Sequence, residues 1–338
     1  MVDRTALEEV KKSIDRGQRF VLTTHVNPDG DGIGSEAALA AFLLQLGKDV
    51  FIYNSSIVPD NYRFLDPNKL MTVYDQRIHR EILYSADYIF ILDISDWNRL
   101  RRVGEDIRPL KTRKICIDHH PPDGKFVNVN LVDVTACATG EIVFDLLKFC
   151  KADFSKHIAE AIYAAILTDT GSFRYSNTTV RAYSISAELV RMGVNPSSVF
   201  KHVYENQPKS KIKLFAYVLS NLNFEKDDQV VWVEVPKHIF EQVGARTNET
   251  DGFADYPRRI ARVEISVMFI ELPKGGFKVS LRSGGKYVVN GVAQKFGGGG
   301  HPFAAGISID GSLPEFRPKI LHEICALIGN GKKISKAG

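Results

Sequence analysis

The chain has 338 residues, 44% of them hydrophobic and 25% charged, and a formal net charge of +4. That length supports about two domains with a core in each, and the proportions exclude a collagen-like, coiled-coil or disordered chain. The charge divides unevenly: residues 1–194 carry 24 Lys and Arg against 26 Asp and Glu, while residues 195–338 carry 20 against 14. An acidic first part is suited to hold metal, and a basic second part to hold an anion. No apolar run approaches the ~20 residues of a membrane span. The charged start, Met1 to Asp15, reads as an amphipathic helix and not as a signal peptide. Cys116, Cys137, Cys150 and Cys325 show no CxxC spacing, so neither a disulfide framework nor a zinc site is expected, and a reduced cytoplasm is the expected setting.

In chain order, residues 4–16 predict a short helix closed by Gly17. Phe20 to Leu22 reads as a buried strand running into a polar turn, Thr24 to Gly34. Glu36 to Leu46 predicts a helix stopped by Gly47. Val50–Tyr53, Tyr88–Leu92 and Lys114–Ile117 are further strands. Continuous apolar runs separated by helices indicate a parallel sheet covered on both faces. Helices follow at about 140–151, 155–168 and 179–192. A helix from Pro196 to Leu222, broken near Pro208, reads as a connector. Beyond it the pattern turns to strands, Val230–Val235, Val263–Glu271 and Phe277–Arg282, with Gly275-Gly276 as a hairpin turn. A helix at 314–328 closes the chain. The expected organisation is a catalytic domain at 1–194, a helical connector at 195–224, a substrate-binding domain at 225–330 and a polar tail at 331–338.

Chemistry-bearing residues gather at the ends of these elements. His25-Val26-Asn27-Pro28-Asp29-Gly30-Asp31 follows the first strand. Asp93 ends Tyr88–Leu92, and Asp118-His119-His120 ends Lys114–Ile117. Asp169 ends a helix before Thr170-Gly171. In open α/β sheets ligands bind past the carboxyl ends of the strands, where separate loops converge. His25, Asp29, Asp31, Asp93 and His119 can meet there. Their carboxylates would repel in a dry crevice unless cations were present. Oxygen and imidazole donors without thiolate suit Mn²⁺ or a similar divalent ion, and two such ions form the usual clamp for phosphoester hydrolysis. In the basic part, Gly297-Gly298-Gly299-Gly300-His301 offers backbone N–H groups to an anion, with His301 as an added donor. Arg282 and Lys295 are the nearest candidates for added positive charge.

The order HxNPDGD, a strand-ending Asp, Asp-His-His, DTGSF and GGGGH resembles the DHH phosphoesterase family with its DHH-associated C-terminal domain, over about residues 5–330. The layout is most similar to bacterial nano-RNases that also dephosphorylate 3′-phosphoadenosine 5′-phosphate. The resemblance implies an α/β fold: a parallel-sheet N-terminal domain, a smaller mixed C-terminal domain and an active-site cleft between them. It implies two divalent cations, Mn²⁺ foremost. One would be held by His25, Asp29 and Asp93, the other by Asp31, Asp93, His119 and Asp169. His120 would face the scissile phosphate, with Asp118 orienting a histidine. Arg282 and Gly298, Gly299, Gly300 and His301 would hold the far phosphate of a short nucleotide, and Arg174 is a further candidate. The implied partners are short RNA oligonucleotides and small nucleotides, with no membrane; a homodimer is left open. Two rival readings are a phosphodiesterase for linear dinucleotides such as pApA or pGpG and a nucleotide-binding module without turnover.

Overall fold

The computed structural model describes residues 3–94, 96–121, 126–250, 252–273 and 275–329; the expected polar tail, 331–338, lies outside them. The chain divides into two compact units, Met1–Asn206 and Gln207–Gly338. Among the described residues no helix is long and apolar enough to cross a membrane.

The first unit opens with α1 (Arg4–Arg16), β1 (Arg19–Thr23), α2 (Gly30–Gln45) and β2 (Asp49–Asn54). It continues through β3 (Met71–Val73), α3 (Gln76–Tyr84), β4 (Tyr88–Leu92), α4 (Arg101–Ile107), β5 (Arg113–Asp118) and β6 (Val129–Val132). The helices α5 (Thr139–Phe149), α6 (Lys156–Asp169), α7 (Val180–Arg191) and α8 (Pro196–Tyr204) complete it. Its sheet has six strands in the order β3-β2-β1-β4-β5-β6, and every pairing is parallel. Successive side chains alternate between faces. Phe20, Leu22, Phe90 and Ile117 enter the core shared with α2, α5 and α6, while Val21, Ile89, Ile91 and Cys116 enter the opposite core with Leu83, Val103 and Ile107.

One difference from the sequence reading bears on the site. The glycine-rich stretch after Asn27 predicts a turn up to Gly34, yet α2 begins at Gly30. Asp29 supplies the missing start signal: its Oδ1 accepts from the backbone N–H groups of Asp31 and Gly32 at 3.0 and 3.2 Å. Gly34 has a packing reason. A Cβ there would lie 2.4 Å from the Ala161 carbonyl oxygen of α6, so α2 and α6 approach more closely than larger residues permit. Gly30 meets Thr168 in the same contact, which sets the start of α2 beside the end of α6.

The second unit comprises α9 (Lys209–Ser220), β7 (Asn223–Glu225), β8 (Val230–Val235), α10 (Lys237–Val243), β9 (Ile265–Glu271), β10 (Phe277–Ser283), α11 (Asn290–Lys295), β11 (Gly299–His301), β12 (Ala304–Ile309) and α12 (Leu313–Gly329). The expected connector helix is thus two helices, α8 and α9, with Pro208 in extended backbone before α9 (φ −57°, ψ 142°). The six-stranded sheet has the order β11-β12-β10-β9-β8-β7. β8 and β9 run parallel and the remaining pairs antiparallel, so the sheet is mixed. Val267, Phe269 and Leu281 pack against Ile320 and Ile324 of α12; Val233 and Met268 pack on the other face with Leu214 and Val218 of α9.

Candidate active site

In the first sheet the chain leaves β1 toward β2 and β3 on one side, then returns to β4, β5 and β6 on the other. The strand order therefore reverses between β1 and β4, and a crevice opens past their carboxyl ends. His25 and Asp29 follow β1 there, Asp93 follows β4, and Asp118 ends β5 directly before His119 and His120. α2 carries Asp31 in its first turn, and α6 ends on Asp169. The close α2–α6 contact brings these last two residues to the same place.

The donor atoms meet in overlapping groups. His25 Nε2 lies 3.3 Å from Asp93 Oδ2 and 3.8 Å from Asp29 Oδ1. His119 Nε2 lies 3.8 Å from Asp31 Oδ2, 3.6 Å from Asp93 Oδ1 and 3.7 Å from Asp169 Oδ2. Asp93 belongs to both groups and is close to His120 as well, 3.8 Å from its Nδ1. Asp93 is buried and holds a positive φ of 58°, a conformation that Asp tolerates better than most residues. Its oxygens are aimed by Thr139, whose Oγ1 donates to Asp93 Oδ1 at 3.0 Å.

Burial and like charge dominate the electrostatics. Burial, with repulsion from Asp93, Asp169 and Asp29, pushes Asp31 well above the usual carboxylate range. Burial raises Asp169 to about 6 against the attraction of His119. Burial would lower the His25 imidazole, but the carboxylates of Asp29 and Asp93 beside it outweigh that and lift the group to about 10. Among the described residues no Lys or Arg pairs with Asp31, Asp93 or Asp169; their only partners of opposite charge are imidazoles. Three carboxylates 3.6–3.8 Å from one imidazole nitrogen are too distant to hydrogen-bond with it and close enough to share a cation with it. The donor set therefore fits divalent metal. His25 Nδ1 donates to Val26 O at 3.0 Å, which turns Nε2 toward the carboxylates; a metal bound there would take the place of the Nε2 proton.

Asp118, fully buried, accepts from His120 at Nδ1 (2.8 Å) and at the backbone N–H (3.1 Å). That carboxylate raises the half-exposed His120 imidazole above its ordinary pKa.

Several positioning groups carry no sequence signal of their own. The N–H groups of Thr139 and Gly140, opening α5, donate to Asp31 at 2.7 and 2.9 Å. Asn177 donates to Asp169 Oδ2 at 3.3 Å. Asn54 accepts from Thr24 N–H at 3.0 Å and donates to Glu36 at 2.8 Å, which fixes the backbone before His25. Burial lifts Glu36 to about 8. Thr139 reads in the sequence only as a helix start, and Asn177 and Asn54 read as ordinary polar residues.

The second unit's candidates are less committed. The glycine run is not a free loop. Gly299–His301 form β11 and pair antiparallel with β12. Gly298 is glycine because a Cβ would lie 2.2 Å from Gly306 O. His301 is exposed. Arg282 is partly engaged, its Nε 3.2 Å from Asp255 Oδ2. Lys295 is exposed and ion-paired with Glu323 at 2.5 Å.

Residues 19–166 match the DHH family, N-terminal domain, and residues 228–330 match the DHHA1 domain. The chain belongs to the DHH family. It is 32% identical, over 94% of its length and 91% of the relative's, to the bifunctional oligoribonuclease and PAP phosphatase NrnA of Thermus thermophilus. It is 27% identical to the protein of that name from Bacillus subtilis, over 89% and 92% of the two chains. The crystal structure of an exopolyphosphatase-related protein from Bacteroides fragilis superposes with a TM-score of 0.87 at 30% identity, covering 96% of each chain.

Proposed function

We propose that this protein is a metal-dependent phosphoesterase that hydrolyses short oligoribonucleotides to 5′-mononucleotides and removes the 3′-phosphate of 3′-phosphoadenosine 5′-phosphate. The observation that carries the reading is the meeting of His25, Asp29, Asp31, Asp93, His119 and Asp169 at one crevice, where among the described residues no Lys or Arg pairs with Asp31, Asp93 or Asp169. Relatives that span nearly the whole chain and bear the oligoribonuclease and PAP phosphatase name support the substrate class.

In this reading His25, Asp29 and Asp93 hold one divalent ion and Asp31, Asp93, His119 and Asp169 the other, with Mn²⁺ as the preferred metal. When bound, the ions supply Lewis-acid stabilisation of phosphoryl oxygens and lower the pKa of water. The protein's own groups do the rest. Asp118 fixes the proton of His120 at Nδ1, so that Nε2 is the ring atom left to stabilise the phosphoryl group or to protonate the leaving oxygen. Arg282 and the backbone and side chain of Gly298–His301 hold the substrate's far phosphate; a charge-assisted contact of this kind adds orientation as well as affinity. Residues 1–194 then carry catalysis and 225–330 substrate binding. A reducing, cytoplasmic setting goes with the same reading, in which the four cysteines are free thiols.

Kinetics on pAp, pApA, RNA of two to five nucleotides and a strand of about 20 nucleotides test it. The expected order places pAp and the shortest RNA first. Comparable rates on the long strand, or turnover confined to linear dinucleotides, would replace this assignment.

A further inference from the structure

The loop after Asp169 carries features that the chemistry at the carboxylates does not use. It turns through three successive residues of positive φ, Gly171 (56°), Ser172 (62°) and Phe173 (63°). For residues other than glycine this is uncommon and persists only where the surroundings hold it. Here they do. Thr170 Oγ1 accepts from Phe173 N–H at 3.0 Å, and Thr170 O accepts from the N–H groups of Arg174 and Tyr175 at 2.9 and 3.0 Å. Asn177 returns to bond both the backbone and the carboxylate of Asp169.

So firm a loop would be expected to bury its large side chains. Phe173 does pack inward, stacked on Tyr183. Tyr175, however, stays 58% exposed, and Tyr204, the last residue of α8, 39%. The Tyr175 ring covers Gly171, two residues from Asp169: a Cβ on Gly171 would lie 2.4–2.6 Å from three of the ring atoms. Tyr204 stands near enough to Ser172, Tyr175 and Arg174 for their charges and dipoles to act on its hydroxyl. Arg174 is exposed and tethered through Nε to Gly171 O at 2.7 Å; among the described residues no carboxylate forms an ion pair with it. Two phenol rings and an unpaired guanidinium thus share a rigid surface directly beside a residue of the metal-binding group.

A nucleobase is the flat, π-faced ligand that such a surface suits. Bases stack on Tyr irrespective of sequence, and Arg adds a planar cation. We propose that Tyr175, flanked by Tyr204 and Arg174, is the platform on which the base next to the scissile phosphate stacks. This deepens the functional reading above and rests on it. Such a platform would favour nucleotides over other phosphoesters without reading the base sequence.

The test compares an RNA dinucleotide with its abasic analogue, which keeps the sugars and phosphates. Tyr175→Ala should raise KM for the dinucleotide about ten- to a hundredfold, with kcat within about threefold, because ground state and transition state lose the same contact. KM for the abasic analogue should not move. Tyr175→Phe should restore the wild-type value. Tyr175→Leu, which still covers Gly171 but has no π-face, should behave like Ala and separates loss of the ring from collapse of the loop. The platform is overturned if Ala and Leu leave the dinucleotide KM within about twofold, if both substrates suffer alike, or if Phe does not rescue. A wild-type protein that hydrolyses neither substrate instead overturns the phosphoesterase reading, and the platform with it.

Discussion

Each unit is built on a six-stranded sheet, but their candidate residues stand in opposite electrostatic settings. In the first unit Asp31 and Asp93 are buried, held by backbone N–H groups and a threonine, with no Lys or Arg paired to them among the described residues. In the second, Lys295 is paired with Glu323, Arg282 leans on Asp255, and His301 lies in solvent. Buried like charges are costly unless something positive joins them. The first site is therefore suited to take up a cation. The second loses little by waiting in water. Chemistry is to be sought where the fold accepts electrostatic cost, and adjustable affinity where it does not.

Removal of divalent ions gives the sharpest test of that contrast. Exhaustive chelation should abolish activity, and Mn²⁺ should restore it best. Full activity in protein shown by elemental analysis to be metal-free would break the argument for the first unit. Asp93→Asn comes next in size. Asn tolerates positive φ as Asp does, so the fold should hold, while turnover should fall by several orders of magnitude. Near-normal rates in a folded variant would remove Asp93 from both metal groups.

A smaller effect is expected in the second unit. His301→Ala should lower kcat/KM for 5′-phosphorylated short oligomers by roughly ten- to a hundredfold, equivalent to ~1.5–3 kcal/mol. A small generic phosphodiester without a far phosphate should be spared; equal losses on both would show that the hairpin does not anchor phosphate. Lys295→Ala should change least. An exposed ion pair contributes ~0–1 kcal/mol, so kcat/KM for the same oligomers should stay within about twofold. A tenfold loss would place Lys295 in the anion site and erase the distinction between it and His301.

Much of this contrast is legible along the chain. Strands β1, β2, β4 and β5 are continuous apolar runs, and a parallel buried strand needs no more than that to announce itself. β3, with three residues, and β11, a strand of two glycines and a histidine, have neither length nor alternation to be read. The turn assigned up to Gly34 illustrates a second limit. Glycine marks both a flexible turn and a close helix contact, and only the approach of Ala161 shows which applies.

The sequence by itself determined which groups are available, that they lie at element ends, and that carboxylates and imidazoles without thiolate call for a divalent metal. Those conclusions follow from local periodicity and donor chemistry, which travel with the residues. Only the tertiary structure decided that Asp31 and Asp169, far apart in the chain, face the same imidazole, because their meeting depends on the α2–α6 contact. It also decided that Asp118 serves His120, that Thr139 aims Asp93, and that Lys295 lies beside Glu323. Each of these is a matter of distance between residues with no fixed spacing in the chain, and distance of that kind is set by packing.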